Sequence, residues 1–286
     1  MWARALLLFD KGAYQAYRLH EVVRDEILFG FLPPEVRPAI TDAAYADLAT
    51  YLPGGARFES GLFAWEEQAL AAPPFPPRGR VLLGASGGGR ELSVLAARGY
   101  DVVAFEPNAR LFEGSLAVAR GNPRVEVHRA AYEDLERAAE RGDGPLGALR
   151  GGPSIDAVIL GWGSITHLLD AREHARLLSA LARLAPGAPV LVSFYTRPAP
   201  APGSRTARAR ALVRAALRLA GSTATHGDEL CYASAGGFGY CFSEDELRSL
   251  ARGAGYEVTA FESEPFGHAV LVPARLGTRV AASAGT

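Results

Sequence analysis

From residue 80 onward, short runs of consecutive apolar residues alternate with longer stretches whose apolar positions recur every third or fourth place. The runs are RVLLGA (80–85), DVVAFE (101–106), VEVHRA (125–130), DAVILGW (156–162), PVLVSFY (189–195), YEVTAFE (256–262) and AVLVPA (269–274). Between the first five lie GRELSVLAARG, ARLFEGSLAVARG, YEDLERAAERG and AREHARLLSALARLAPG, each with an apolar stripe and a polar face. Strands that are apolar on both faces, separated by amphipathic helices, predict a mostly parallel, doubly wound α/β sheet covered on both sides. The last two runs break the rhythm. Only the few residues around SEPFG separate them, too few for a parallel crossover, so they are expected to pair antiparallel.

The first part of the chain has a different period. Over residues 12–50, Tyr14, Tyr17, Leu19, Val22, Val23, Ile27 and Leu28 recur at helical spacing up to a break at LPPEV. A second helix is expected from Thr41, its hydroxyl capping TDAAYADLATYL, with a stop at Pro53-Gly54-Gly55. The Pro73 to Pro77 cluster then marks a boundary. The organisation expected is a helical N-terminal extension or lid over 1–75, an α/β domain over 76–276 with an insertion at about 196–240, and a flexible tail at 277–286. The insertion reads as a loop followed by a helix that carries Arg210, Arg214 and Arg218 on one face, expected to be solvated, with an acidic acceptor or RNA phosphates as the alternative they could hold.

Composition narrows the function classes. With 49% hydrophobic and 21% charged residues, the chain can bury a full core without metals or disulfides. A formal net charge of -1 provides no general field for nucleic acid or for an anionic membrane, so neither is an expected partner. Cys231 and Cys241 stand ten positions apart without a CxxC, which suggests neither a zinc site nor a disulfide framework and fits a reducing cytoplasm. The apolar start is interrupted by Asp10 and Lys11, against a secretory signal, and no segment reaches the roughly 18 uninterrupted apolar residues of a membrane span. No carboxylates cluster at metal-ligand spacing, so no metal is expected.

The chemistry concentrates in VLLGASGGGRELSVLAARGYDVVAFEPN, residues 81–108. In an open α/β sheet the ligand sits beyond the carboxyl ends of the strands, where the first strand turns into its helix. Glycines there permit unusual dihedrals and close approach to the main chain, and the helix start presents free N–H groups. Glu106 follows Gly87 by 19 residues, at the end of the next strand, where a carboxylate can accept both hydroxyls of a ribose. A dinucleotide pattern needs glycine at i, i+2 and i+5. From Gly84 that pattern meets Ser86 and Gly89, and from Gly87 it meets Gly89 and Leu92. Neither start fits.

The glycine loop, the spaced acid and Pro107 after it resemble the first motifs of class I S-adenosylmethionine-dependent methyltransferases, and the resemblance runs from about Arg80 to Ala274. It implies a Rossmann-like sheet whose last strand is antiparallel, plus the helical extension, and S-adenosylmethionine as cofactor. Gly84, Ala85, Ser86, Gly87 and Gly89 would cradle it, Glu106 and Pro107 would meet its ribose, and Ala131 and Tyr132 in AAYEDL would lie along adenine. The fourth run, with Gly161 and Trp162 in DAVILGWGSITHL, would end beside the transferring methyl group. The serine-capped CFSEDELRSLARGAGYEV, with Ser243 and the first-turn acid Glu244, matches the helix before the sixth strand. The sequence departs from the pattern at Leu83 and Ala131, where acids are common, and at Ala85, where the first motif glycine stands.

Methyl transfer to a hydroxyl of high pKa is helped by a general base, and His167, just past the fourth strand, is the candidate catalytic residue. Trp162 could wall the methyl or acceptor pocket. The extension, through Tyr14, Tyr17, Phe63, Trp65 and Glu66, could close as a lid. The expected acceptor is the oxygen or nitrogen of a small molecule. An NAD-dependent oxidoreductase and a non-catalytic nucleoside-binding partner protein are the alternatives, and the oligomeric state stays open.

Overall fold

All seven apolar runs are strands, and the periodic stretches between the first five are helices. The computed structural model describes residues 2–46, 49–197, 204–222, 226–233 and 236–274. The extension holds α1 (Trp2–Phe31), α2 (Arg37–Ala46), the short α3 (Ala56–Glu59) and α4 (Ala64–Ala71). There follow β1 (Arg80–Gly84), α5 (Arg90–Ala97), β2 (Asp101–Phe105), α6 (Ala109–Ala119), β3 (Val125–His128), α7 (Tyr132–Arg141) and β4 (Ala157–Leu160). The chain continues through α8 (Ala171–Leu184), β5 (Val190–Thr196), α9 (Arg205–Leu219), β6 (Leu230–Ala233), β7 (Gly237–Phe242), α10 (Glu244–Gly253), β8 (Tyr256–Glu262) and β9 (Gly267–Pro273).

β1 to β5 are parallel in the order β3-β2-β1-β4-β5. β9 joins β5 antiparallel, and β8 pairs with β9, also antiparallel, as the short connection requires. Alternate side chains feed two cores. Leu82, Val103, Phe105, Val158 and Leu160 meet α7 and α8 on one face. Val81, Leu83, Val102, Ala104 and Ile159 meet α5 on the other, together with Trp65, Leu70 and Phe75. Leu83, the position where an acid is common, is thus fully buried among apolar side chains.

Several expectations for the prefix and insertion are corrected. α1 begins at Trp2, ten residues before the predicted helical stretch. α2 starts at Arg37, so Thr41 lies inside the helix instead of capping it. Pro38 in the first turn lacks only an N–H that would be unpaired there anyway, and Thr41 Oγ1 accepts a tertiary hydrogen bond from Phe238 N–H at 3.0 Å. α10 is capped by Ser243 as expected, but the reciprocal acid is Glu246, whose carboxylate accepts from Ser243 N–H at 2.9 Å.

The insertion contains two strands as well as a helix. β6 and β7 form an antiparallel hairpin, and β7 runs on beside the end of β5. Of the three α9 arginines expected on a solvated face, only Arg218 is exposed. Arg214 donates to both oxygens of the buried Glu26 of α1 at 2.7 and 2.9 Å, Arg210 pairs with it at 3.1 Å, and both reach Asp228. A buried carboxylate must be neutralised, and α9 supplies the cations. The expected tail at 277–286 lies outside the described residues. Among the described residues no helix is long and apolar enough to cross a membrane.

Candidate active site

Where β1 ends, the backbone turns through three left-handed residues: Ala85 at φ +51°, Gly87 at +58° and Gly89 at +97°. The glycines do different work. Among the described residues a Cβ on Gly87 would meet no atom within 4 Å, so it would project into open space. On Gly84 it would come within 3.0–3.2 Å of Phe105, Leu160 and Tyr132, on Gly89 within 3.0 Å of Val118, and on Gly161 within 2.2 Å of the Ala85 carbonyl. Gly84, Gly89 and Gly161 therefore stand behind the surface and allow its layers to close, while Ala85, Ser86 and Gly87 line a cavity of about 360 Å³. Gly88, which the sequence reading passed over, also lines it. A Cβ there would sit 2.0 Å from the Tyr51 carbonyl, so the extension rests directly on this glycine.

Glu106, Pro107, Ala131, Tyr132, Trp162 and His167 line the same cavity. The Glu106 carboxylate is 4% exposed and fixed at both oxygens, Oε2 accepting from Gly87 N–H at 2.8 Å and Oε1 from Asn108 N–H at 2.9 Å. Burial pushes its pKa up to about 7, against the opposing pull of these two N–H bonds. Its remaining lone pairs are available to donors in the cavity. Ser115 Oγ donates to the Gly87 carbonyl and bonds Ser86 Oγ at 2.8 Å, which fixes the loop from below. Tyr132 bonds Ser164 through its hydroxyl and packs edge-on against Phe105.

The opposite wall holds residues that the sequence reading missed. α2 contributes Thr41, Asp42 and Tyr45, the next turns contribute Tyr51, Arg57 and Phe58, and the strand ends contribute Tyr195 and Phe266. Asp42 accepts from Asn108 Nδ2 at 2.7 Å, tying α2 to the loop after β2. Tyr45 lies 3.0 Å from His167 Nε2, and His167 Nδ1 lies 3.1 Å from the Phe238 carbonyl. A carbonyl only accepts, so Nδ1 carries the proton and Nε2 accepts from the Tyr45 hydroxyl. Burial lowers the His167 pKa, which keeps the ring neutral at neutral pH.

The proposed lid residues divide. Tyr14 and Tyr17 are 59% and 58% exposed on α1 and are not part of the cavity. Phe63, Trp65 and Glu66 pack behind it instead. Phe63 meets the Trp162 ring edge-on at 4.8 Å, Trp65 stacks on His268, and Glu66 forms a two-pronged pair with Arg90 at 2.6 and 2.7 Å. Arg90 also donates to Glu91 at 2.6 Å and to the Gly61 carbonyl. Two buried carboxylates share one guanidinium, and the one that lines the cavity is Glu91, which also accepts from Trp162 N–H at 3.3 Å. Among the described residues the buried Trp162 Nε1 has no hydrogen-bond partner.

A parallel β3-β2-β1-β4-β5 sheet closed by antiparallel β9 and then β8, with its cavity at the carboxyl end of β1, is the Rossmann-like fold of class I methyltransferases. A family model described as a methyltransferase domain matches residues 62–260, and the chain belongs to that family of S-adenosylmethionine-dependent methyltransferases. Solved structures agree on the fold. The PH0226 protein from Pyrococcus horikoshii OT3 is 18% identical, with 80% of this chain and 97% of that chain covered and a TM-score of 0.54. An S-adenosylmethionine-dependent methyltransferase from Methanosarcina mazei is 15% identical, with 74% and 96% covered and a TM-score of 0.50. The sugar N-methyltransferase KedS8 from Streptoalloteichus sp ATCC 53650 is 17% identical, with 77% and 91% covered and a TM-score of 0.50. Among curated proteins nothing matches.

Proposed function

We propose that this protein transfers a methyl group from S-adenosylmethionine to an oxygen or nitrogen of a small molecule held against α2, with the Tyr45–His167 pair removing the acceptor proton. The observation that carries the reading is that this polarised pair and the anchored Glu106 carboxylate line one cavity. Once bound, the cofactor supplies a methyl group on a positively charged sulfur, which leaves as a neutral thioether.

The chain's own residues bind and orient. Glu106 would accept the two ribose hydroxyls, Ala131 and Tyr132 would flank the adenine, and the open side of Gly87 would admit the amino-acid portion to the main chain. Glu91 would receive the ammonium group, providing from α5 the carboxylate that Leu83 does not. In methyl transfer the leaving group is already activated, so alignment and exclusion of water supply much of the rate. Tyr45, Tyr51, Phe58, Trp162, Tyr195 and Phe266 present rings to the acceptor side, a dry wall suited to a flat, largely apolar molecule. During transfer the acceptor proton would pass to Tyr45 Oη while the Tyr45 proton passes to His167 Nε2. Burial raises the Tyr45 pKa, so the tyrosine relays the proton without standing as a phenolate.

Calorimetric titration tests this reading with three probes: S-adenosylhomocysteine, its deaminated analogue and NAD. S-adenosylhomocysteine is expected to bind, the deaminated analogue to bind more weakly, and NAD to release no heat. Heat with NAD alone would overturn the reading in favour of an oxidoreductase. Binding of S-adenosylhomocysteine without turnover of any of a broad set of phenols, alcohols and amines would overturn the catalytic part and leave a nucleoside-binding protein.

A further inference from the structure

The only two cysteines in the chain, ten positions apart in sequence, meet on one face of the β6–β7 hairpin, where the sulfurs of Cys231 and Cys241 lie 3.0 Å apart. Both are free thiols and half-buried. Their surroundings are unequal. The Cys231 sulfur, together with Arg197 and Arg210, lowers the Cys241 pKa, whereas its bond to Cys241 and its burial raise that of Cys231. Cys241 is therefore the sulfur of the pair that ionises more readily.

The hairpin also carries part of the cavity wall. Cys241 is in register with Tyr195 of β5, which lines the cavity. Three residues before Cys241, Phe238 accepts from His167 Nδ1 through its carbonyl and donates to Thr41 Oγ1 through its N–H. One strand thus bears the more reactive sulfur at one level and holds the proposed base and α2 at another.

We propose that Cys231 and Cys241 form a reversible thiol–disulfide site, oxidised by peroxides and reset by dithiols, whose closure shifts β7 and with it the setting of His167. The thiolate of Cys241 attacks a peroxide oxygen, the O–O bond breaks, and a sulfenic acid and hydroxide form. The Cys231 sulfur then attacks the sulfenic sulfur, the S–O bond breaks, and a second water leaves with the Cys231 proton. In sum, two thiols and one hydrogen peroxide become one disulfide and two waters, each sulfur losing one electron. A disulfide brings sulfurs to about 2.05 Å, so the two sulfurs must approach by about 1 Å from their reduced separation, and part of that movement falls to β7. The acceptor wall receives that movement through Phe238. This inference is independent of which acceptor is methylated.

The test uses the full chain, freed of reductant and exposed to hydrogen peroxide at a small molar excess. By intact mass, the wild type is expected to lose two hydrogens and regain them with dithiothreitol. Cys231→Ser is expected to give a sulfenic acid at residue 241 that dimedone traps, and Cys241→Ser to resist both reactions. Ring-nitrogen NMR of the wild type, with the His167 signal identified by its loss in His167→Gln, is expected to show that signal move on oxidation and return on reduction. An unchanged mass, or a gain of oxygen without loss of hydrogen, would overturn the site. Equal dimedone labelling of both serine variants would overturn the assignment of Cys241 as the attacking sulfur. A disulfide that leaves the His167 signal in place would overturn its coupling to the cavity.

Discussion

The floor of the cavity runs from Ala85 to Asn108 along two adjacent strand ends, whereas its wall gathers Tyr45, Tyr51, Phe58, His167, Tyr195 and Phe266 from remote parts of the chain. The floor makes its contacts with main chain and one carboxylate. Its shape depends on left-handed residues and missing side chains, both of which a short motif can specify. The wall makes its contacts with aromatic rings and a histidine whose positions depend on α2, on the hairpin after β5 and on the loop before β9. A floor of this kind serves one cofactor in many proteins, and a wall of this kind sets what a particular protein accepts. Substitutions in the two regions should therefore separate binding of cofactor from transfer of methyl.

The largest effect is expected where floor and wall meet. Arg90 begins α5, and its guanidinium is buried between Glu66 and Glu91 under the Phe63 ring at 4.1 Å. Arg90→Met leaves two carboxylates buried without a counter charge, and breaking a buried pair in this way typically costs about 3–5 kcal/mol. Denaturant unfolding should show that loss as a lower midpoint. A midpoint unchanged from the wild type would mean that the three charges do not act as one unit.

Next comes the wall. His167→Gln should lower the maximal rate by about a hundredfold, the low end for loss of a general base, with cofactor affinity unchanged. Tyr45→Phe should act in the same direction if the proton passes through its hydroxyl. Because burial lowers the His167 pKa, the neutral base is present across the neutral range, and the acid limb of the rate profile should lie below the usual histidine value. That limb should vanish in His167→Gln. An acid limb retained in the variant would assign His167 to structure alone.

The floor should respond in binding. Glu106→Gln should weaken the cofactor by about 1–3 kcal/mol, as loss of a charged hydrogen-bond partner does. The pH dependence has a definite sign. With a pKa near 7 in the cofactor-free protein, above its ordinary value, Glu106 favours the folded state most at low pH, and this contribution fades as pH rises through 7. Ribose hydroxyls donate best to the ionised carboxylate, so cofactor affinity should rise from pH 6 to pH 8 and level off above. Calorimetry on Glu106→Gln should give a flat profile. A slope that survives the substitution would place the titrating group elsewhere.

The same division explains what was legible in the sequence. The seven main strands could be read because each is a dense apolar run, and the β8–β9 pairing because six residues or fewer cannot carry a parallel crossover. Nine of the twelve expected site residues line the cavity, and the remaining three glycines shape its backing. LCYA and GFGYCF gave no comparable signal, since short glycine-bearing strands depend on pairing with one another and with β5. Nothing in TDAAYADLATYL distinguishes Tyr45 from the tyrosines of α1. Its role arises from the contact of α2 with β7 and His167, as the role of Arg210 and Arg214 arises from Glu26 across the α1–α9 contact.

The smallest effect is expected at Ala85, and it tests how firmly the floor is held. A left-handed conformation costs an L-residue roughly 1–2 kcal/mol, and Ala85 adopts one at φ +51° where the family pattern has glycine. Ala85→Gly removes that cost but gives the unfolded chain extra freedom worth about 0.4–1 kcal/mol. The two changes oppose, leaving a stabilisation of about 0–1.6 kcal/mol. Cofactor affinity should barely move, because Gly161 N–H donates to the Gly84 carbonyl at 2.7 Å and Ser86 N–H to the Phe105 carbonyl at 3.0 Å, which hold the turn from both sides. A marked loss of affinity in Ala85→Gly would mean that the alanine methyl group, and not the backbone it sits on, shapes the floor. Unfolding and calorimetry on this one variant therefore separate the two accounts: stability reports the strain, and binding reports whether the main chain alone defines the cradle.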